Sequence, residues 1–394
     1  MTTSTGTTLV TTTTAPTDPL PQHVHDAECE PSEVLLGAID LQQKSPTDEP
    51  SYCQIPVTED SAIKIEVIEK TDQIAGPESH IPIPFVDEDI NDLSNATEAW
   101  WATGDHVIPS SLLDEVDESI KELLPPGTEV VGISPHGNSQ WSRTAEIQTE
   151  LEGNSVSYFL KVTDRPSGQA MYHCEFESLV VMYEAVPEYC PRPIGWGQYE
   201  TDPNVWFLLT SFIEMYDDDL DPEFLPKALA ELHRKALSPD GKHGSRLIIS
   251  SGALPVKLAQ SDSWEDFFFR YVRYMLRAEE IAAGPRTAEM EQLLDALFNR
   301  IIPRLLRPLE TGGRTIIPVF LHTDLWAGNT GTNTEGLPII FDPCSMYGHN
   351  EFDLGVWSAV RGMITRPFID NYTNLNERSQ PMEDFNARNL LYLL

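Results

Sequence analysis

Two aspartates and an asparagine with chemical potential, Asp324, Asn329 and Asp342, stand among apolar and turn residues in FLHTDLWAGNTGTNTEGLPIIFDP, from Phe320 to Pro343. A carboxylate beside a buried strand is costly unless something pairs with it, and a divalent cation is one such partner. The spacing matches the loop pattern H-x-D-x-x-x-x-N followed by a metal-binding Asp, in which catalysis is mostly positioning and charge neutralisation around a transferred phosphoryl group. On that reading Asp324 accepts the hydroxyl proton of an acceptor, while Asn329 and Asp342 hold Mg²⁺ against nucleotide phosphates. A single loop Asp is more often a cap or turn residue; the joint spacing and strand context carry the reading.

Such a phosphotransferase also needs a Lys on a strand to touch the nucleotide phosphates and a helix Glu to orient it. VSYFLKV followed by YHCEFESL provides both: Lys161 is the Lys, and Glu175 is the first choice of partner, ahead of Glu177. A lone strand-end Lys is ordinarily a solvated edge residue, so its weight comes from its order in the chain. SPHGNSQW lies where a phosphate-covering loop belongs but is no G-x-G-x-x-G. Backbone amides near His136, Gly137, Asn138 and Ser139 are able to cradle phosphate, and the alternative is an ordinary hairpin turn.

These groups need elements to position them. The hairpin expected at the site pairs VFL, which delivers His-Thr-Asp onto a loop, with LPIIF, which returns the chain to Asp342 through a GTNTEG turn. Upstream, TEVVGIS, WSRTAEIQTEL and VSYFLKV read as consecutive antiparallel strands separated by turn chemistry. GQAMYHCEFESLVVMYEAV reads as a helix burying Met171, Leu179, Met182 and Tyr183. Pro191 and Pro193 interrupt the chain before VWFLLTSFIEM, a buried strand leading to a connector. SSLLDEVDESIKELLPPG carries a capping-box-like start at Ser111 and Asp114.

Beyond the connector the pattern turns helical, in PEFLPKALAELHRKAL, DSWEDFFFRYVRYMLRAEEIAAG and TAEMEQLLDALFNRIIPRLL, with Asp262 or Ser263 as an N-cap and Gly284 as a stop. The fold class is therefore α+β and two-lobed: residues 106–213 form a small sheet lobe with one main helix, and 214–394 a helical lobe carrying the catalytic loop. Residues 1–105 read as an extension, Thr-rich and then Pro-rich and acidic to about Pro50, with the strand-like AIKIEVIEK beyond.

The chain has 394 residues and 40% hydrophobic content, enough for a real core. Its 62 acidic residues against 26 basic ones give a charge of −36, which argues against nucleic acid and anionic membranes and for a cationic partner if the field steers anything. The five cysteines are scattered without a CxxC pair, fitting reduced thiols in a cytoplasmic protein. No stretch approaches the roughly 20 apolar residues of a membrane span, and the N-terminus reads as no export signal.

Taken together, HTDLWAGN, IIFDPCSMYGHNEFDLG, SPHGNSQW, YFLKV, CEFESL and LAELHRKALSPDGKHG resemble the fructosamine (ketosamine) 3-kinase family, related to aminoglycoside and choline kinases and more distantly to protein kinases. The resemblance runs from about Pro109 to the C-terminus and implies a protein-kinase-like fold. It also implies ATP-dependent phosphorylation of the 3-hydroxyl of ketosamines, typically ribulosyl- or fructosyl-lysine on glycated proteins, which then shed the sugar. It places Asp324 as base, Asn329 and Asp342 on Mg²⁺, and Lys161 with Glu175 on ATP phosphates. Trp326 is expected to line the acceptor side. His349, Glu351 and Asp353 are expected to cap the following helix and brace the catalytic loop, with His349 also a candidate substrate contact.

Three departures bear on competence. Thr323 stands where these kinases often have Gly, Asp342 is followed by Pro-Cys, and the chain stops at NLLYLL, short of the family's usual terminal helices. Two further readings therefore stand beside the ketosamine kinase: a phosphotransferase for an amino alcohol or another small molecule, and an inactive kinase-like interaction protein.

Overall fold

The structure, a computed structural model, describes residues 106–394 except 138, 217–219, 253 and 360–362. The N-terminal extension, residues 1–105, and Asn138 of the phosphate loop thus lie outside the described residues.

Five strands make the first lobe: β1 (Glu129–Pro135), β2 (Arg143–Leu151), β3 (Asn154–Thr163), β4 (Pro193–Gln198) and β5 (Trp206–Ser211). Their order is β1-β2-β3-β5-β4, with every neighbour antiparallel. Glu152 and Gly153, both at positive φ (53° and 78°), turn β2 into β3, which suits the right-handed twist of a tight hairpin. Pro193 opens β4 rather than interrupting the chain, and it is tolerated because β4 is an edge strand.

Strand alternation then sorts the side chains. Leu160 and Val162 join Ala145, Ile147, Phe207 and Leu209 in a core covered by Ile120 of α1 (Glu118–Lys121), while Lys161 points to the opposite face. That face is covered by α2 (Gly168–Ala185), which packs Met171, Tyr172 and Leu179 against Leu208. Met182 is fully buried and Tyr183 only half so. Glu175 falls on the stripe Met171, Glu175, Leu179, Met182 at helical spacing, so its carboxylate is carried under the sheet toward Lys161. At the start of the lobe the expected capping box is replaced: Asp117, not Ser111, accepts the Ser119 amide at 3.0 Å and opens α1.

The second lobe is mainly helical. α3 (Phe224–Lys235) packs with α7 (Arg366–Leu375) around Phe320, Leu325 and Ile340. The long α4 (Trp264–Ala283) starts at Ser263, whose side chain accepts the Asp266 amide, and stops at Gly284 with φ 91°. Next come α5 (Ala288–Ala296), a π-turn at Leu297–Ile301 and α6 (Ile302–Leu306), where one uninterrupted α-helix had been expected. α8 (Phe385–Leu393) packs Leu391 and Tyr392 against Trp264 and Phe268.

The strands at the site pair differently from the sequence reading. β9 (Val319–Leu321) pairs with β12 (Met346–Gly348), whereas the hairpin is formed by β10 (Thr330–Asn333) and β11 (Pro338–Ile340), with β6 (Met215–Tyr216) on its outer edge. VFL and IIF are therefore not partners. A further hairpin, β7 (Ile249–Ser251) with β8 (Leu254–Val256), precedes α4. Among the described residues no helix is long and apolar enough to cross a membrane.

Candidate active site

β9 ends at Leu321, and the next two residues are held by a single carboxylate. Asp353 accepts the backbone amides of His322 and Thr323, each at 2.8 Å, and is itself buried beside His233 Nε2 at 3.2 Å. The loop bracing expected of this residue is therefore in place. The capping is not: His349 sits at the N-cap position but its side chain makes no cap hydrogen bond.

His322 ties the two halves of the site together. Its Nδ1 accepts the Asp324 amide at 3.3 Å, which leaves Nε2 to donate to the Phe341 carbonyl at 2.9 Å. Those two bonds assign one neutral tautomer, and burial lowers the ring's pKa in agreement. The sequence reading used His322 only as part of a pattern; its work is to hold the Asp324 loop against the segment entering Asp342.

The backbone there is strained. Thr323 has φ 66° and Asp342 φ 57°, both in the left-handed region that favours glycine. The site does require positive φ where Thr323 replaces the family's common Gly. Compensation comes from the Asp353 clamp and from the Thr323 hydroxyl, which donates to the Cys344 carbonyl.

At Asp324 itself, Asn329 Nδ2 donates to Asp324 Oδ2 and to the Asp324 carbonyl, both at 2.8 Å. Asp324 opens onto the cleft, yet the surrounding protein is dense enough that burial raises its carboxyl to about 6, against the opposing pull of the Asn329 hydrogen bond. Both Asn329 side-chain bonds use its nitrogen, so the amide oxygen is the end left to meet a cation.

Lys161 is 7% exposed and lies between two carboxylates, with Nζ 2.8 and 2.9 Å from the Glu175 oxygens and 3.1 Å from Asp342 Oδ1. Burial opposes the ammonium, but Asp342 and Glu175 outweigh it and hold it protonated. Burial also pushes Glu175 up, to about 7, with Asp342 adding to the push and Lys161 resisting it. Glu177, the second choice, is exposed and faces His173 at 4.0 Å.

The phosphate loop is less engaged. Gly137 has φ 78°, as a tight turn requires, and the His136 ring packs edge-on against Phe212 with centroids 4.9 Å apart. Ser139 alone of the described loop candidates lines the cleft, where its hydroxyl accepts the Trp141 amide.

Two residues assigned to the acceptor lie elsewhere. His349 is 1% exposed, with Nδ1 2.8 Å from the Tyr392 hydroxyl and Nε2 2.8 Å from the Ser379 hydroxyl. Both nitrogens are occupied inside the helical lobe, which corrects its placement as a substrate contact. Trp326 is 52% exposed and folds over Gly328 rather than lining the cleft. What does line it, with Lys161, Asp324 and Asp342, is Trp141, Tyr271 and the Ser250–Gly252 turn, around a cavity of about 360 Å³. Sequence reasoning missed these because helical spacing marks Tyr271 as buried without saying where its hydroxyl points.

Among the described residues no group of three or more His, Cys, Asp and Glu forms a metal cage. Asp342 with the Asn329 amide oxygen fits Mg²⁺ nonetheless, because that ion keeps waters and substrate phosphates and takes only one or two protein oxygens.

A strand Lys paired to a helix Glu beneath an antiparallel sheet, facing an Asp–Asn loop and a following Asp, defines a two-lobed kinase-like phosphotransferase acting on an alcohol. The chain belongs to the fructosamine kinase family, whose model matches residues 135–394. It is 28% identical over 268 residues to the chloroplastic protein-ribulosamine 3-kinase of Oryza sativa subsp. indica, covering 68% of this chain and 72% of that one. It is also 28% identical over 257 residues to the ketosamine-3-kinase of Mus musculus, covering 60% and 79%. The fold is shared with the solved structure of a candidate fructosamine-3-kinase from Thermobifida fusca YX-ER1, at a TM-score of 0.55 and 18% identity over 71% of this chain and 90% of that one.

Proposed function

We propose that the protein is an ATP-dependent ketosamine 3-kinase, transferring a phosphoryl group to the 3-hydroxyl of ribulosyl- or fructosyl-lysine, free or on glycated protein. The observation that carries the proposal is the base pair of the site: Asp324 held by Asn329 at 2.8 Å, inside a chain of this family. Asp324 takes the proton from the acceptor hydroxyl as that oxygen attacks, and a carboxyl raised to about 6 is basic enough to receive it yet ionised at neutral pH. Lys161, oriented by Glu175, offers its ammonium to the nucleotide phosphates. Asn329 and Asp342 are the residues that would hold Mg²⁺, which when bound neutralises phosphate charge. His322 and Asp353 keep the base loop in register with Asp342.

Phosphorylation at that hydroxyl makes the ketosamine unstable, so the physiological outcome is removal of the sugar from the amine. The acidic charge of −36 suits acceptors displayed on basic, lysine-rich protein. The free thiols Cys174, Cys190 and Cys344 support a reducing compartment such as the cytoplasm. Mass spectrometry of ribulosyl-lysine incubated with ATP, Mg²⁺ and the protein tests the activity. A gain of one phosphoryl group is expected; no gain under any metal condition would sink it.

A further inference from the structure

Asp324 has two sides. Toward the sheet lobe lie Lys161 and Asp342, the phosphate end of the cleft. The rest of the same cavity is lined by Trp141, Ser250–Gly252 and Tyr271. Tyr271 comes from α4, and its ring is fixed between Phe267, stacked at 6.3 Å, and Phe352, edge-on at 6.4 Å. Its hydroxyl makes no hydrogen bond to any described residue, and Tyr271 lines the same cavity as Asp324 and Cys344. Trp141 is equally fixed, with the Arg165 guanidinium over its ring at 5.2 Å and the Gly252 backbone so close that an added Cβ would lie 2.8 Å from the indole. The cavity thus has a rigid aromatic wall and one preorganised, unpaired phenol near the base, as a small polyol site requires.

We propose that Tyr271 is the acceptor-specificity residue of this site, its phenol hydroxyl hydrogen-bonding an oxygen of the sugar chain other than the one Asp324 deprotonates. The assignment rests on the ketosamine reading above. It explains how a polyhydroxylated acceptor is chosen over a simple alcohol: a phenol hydroxyl covered by the bound acceptor but given no partner penalises an acceptor lacking the matching hydroxyl.

The test compares wild type with Tyr271→Phe, which keeps the ring and its packing. Steady-state kinetics are run with ribulosyl-lysine and fructosyl-lysine and with analogues each lacking one hydroxyl of the sugar chain. Tyr271→Phe is expected to raise the acceptor KM roughly tenfold, with the ATP KM and melting temperature unchanged. For one analogue, the roughly tenfold discrimination shown by wild type should collapse toward one in the variant. An unchanged acceptor KM with every discrimination ratio preserved overturns the Tyr271 assignment, as does a fall in kcat alone. Absence of wild-type turnover on both ribulosyl-lysine and fructosyl-lysine overturns the ketosamine reading and this assignment with it.

Discussion

Lys161 and Asp342 are 181 positions apart in the chain and 3.1 Å apart in the fold. Asp342 thereby reaches the cation of the sheet lobe from the helical lobe, while its neighbour Phe341 is tied through His322 to the base loop. One short chain of contacts therefore runs from the Lys161 ammonium to the Asp324 carboxylate.

Asp324→Asn is expected to lower kcat by roughly a thousandfold, within the range typical of a lost general base. Nucleotide binding, read as a melting-temperature rise with ATP and Mg²⁺, should persist. Turnover equal to wild type would remove Asp324 from the base role.

The pH profile follows from the same group. In the proposed base role Asp324 acts ionised, and its carboxyl is raised to about 6, so kcat/KM should hold above that pH and fall tenfold per unit below it. The sign for stability is opposite: a carboxyl with a raised folded-state pKa favours the fold at low pH, and that contribution is lost as pH rises through about 6. Asp324→Asn should therefore melt higher than wild type at pH 8, with the gap narrowing at pH 5.

Glu175→Gln removes one charge from the pair that orients Lys161. A loss of roughly 10- to 100-fold in kcat/KM for ATP is expected, the size of a charge-assisted hydrogen bond. Glu177→Gln, on the exposed turn of α2, should leave the same parameter within twofold of wild type (about 0.4 kcal/mol).

At Thr323 the backbone and side chain oppose each other. Alanine keeps the φ of 66° while losing the hydroxyl bond to Cys344, whereas glycine loses the bond but relieves the strain. Thr323→Gly should therefore be more stable than Thr323→Ala by about 1 kcal/mol, reversing the usual order of these residues. Denaturant midpoints of the two variants decide it.

Glu351 and Arg388 form a fully buried pair at 2.7 Å, and Arg388 also donates to the Pro381 and Ser379 carbonyls. Glu351→Ala would leave a buried guanidinium without its anion, at a cost of about 3–5 kcal/mol. A chemical-denaturation loss below 1 kcal/mol would show that the pair does not anchor α8.

Much of this molecule is written in local patterns. The strands around Lys161, the helix bearing Glu175 and the spacing of Asp324, Asn329 and Asp342 were readable because alternation, helical period and turn chemistry act over a few residues. Partner choice among strands was not: VFL and PII are equally apolar, and only the tertiary fold sends β9 to β12 and β10 to β11. The same holds for His349, whose neighbours in sequence suggested the site but whose ring is enclosed by Tyr392 and Ser379.

The sequence by itself determined the two-lobed order, the family and the residue types at the centre, since each depends on short-range spacing. The tertiary structure alone decided that Thr323 stands at positive φ, that His322 locks the base loop to the segment before Asp342, and that Tyr271 rather than Trp326 lines the cleft. Those outcomes depend on backbone dihedrals and on packing between segments far apart in the chain, where periodicity carries no direction.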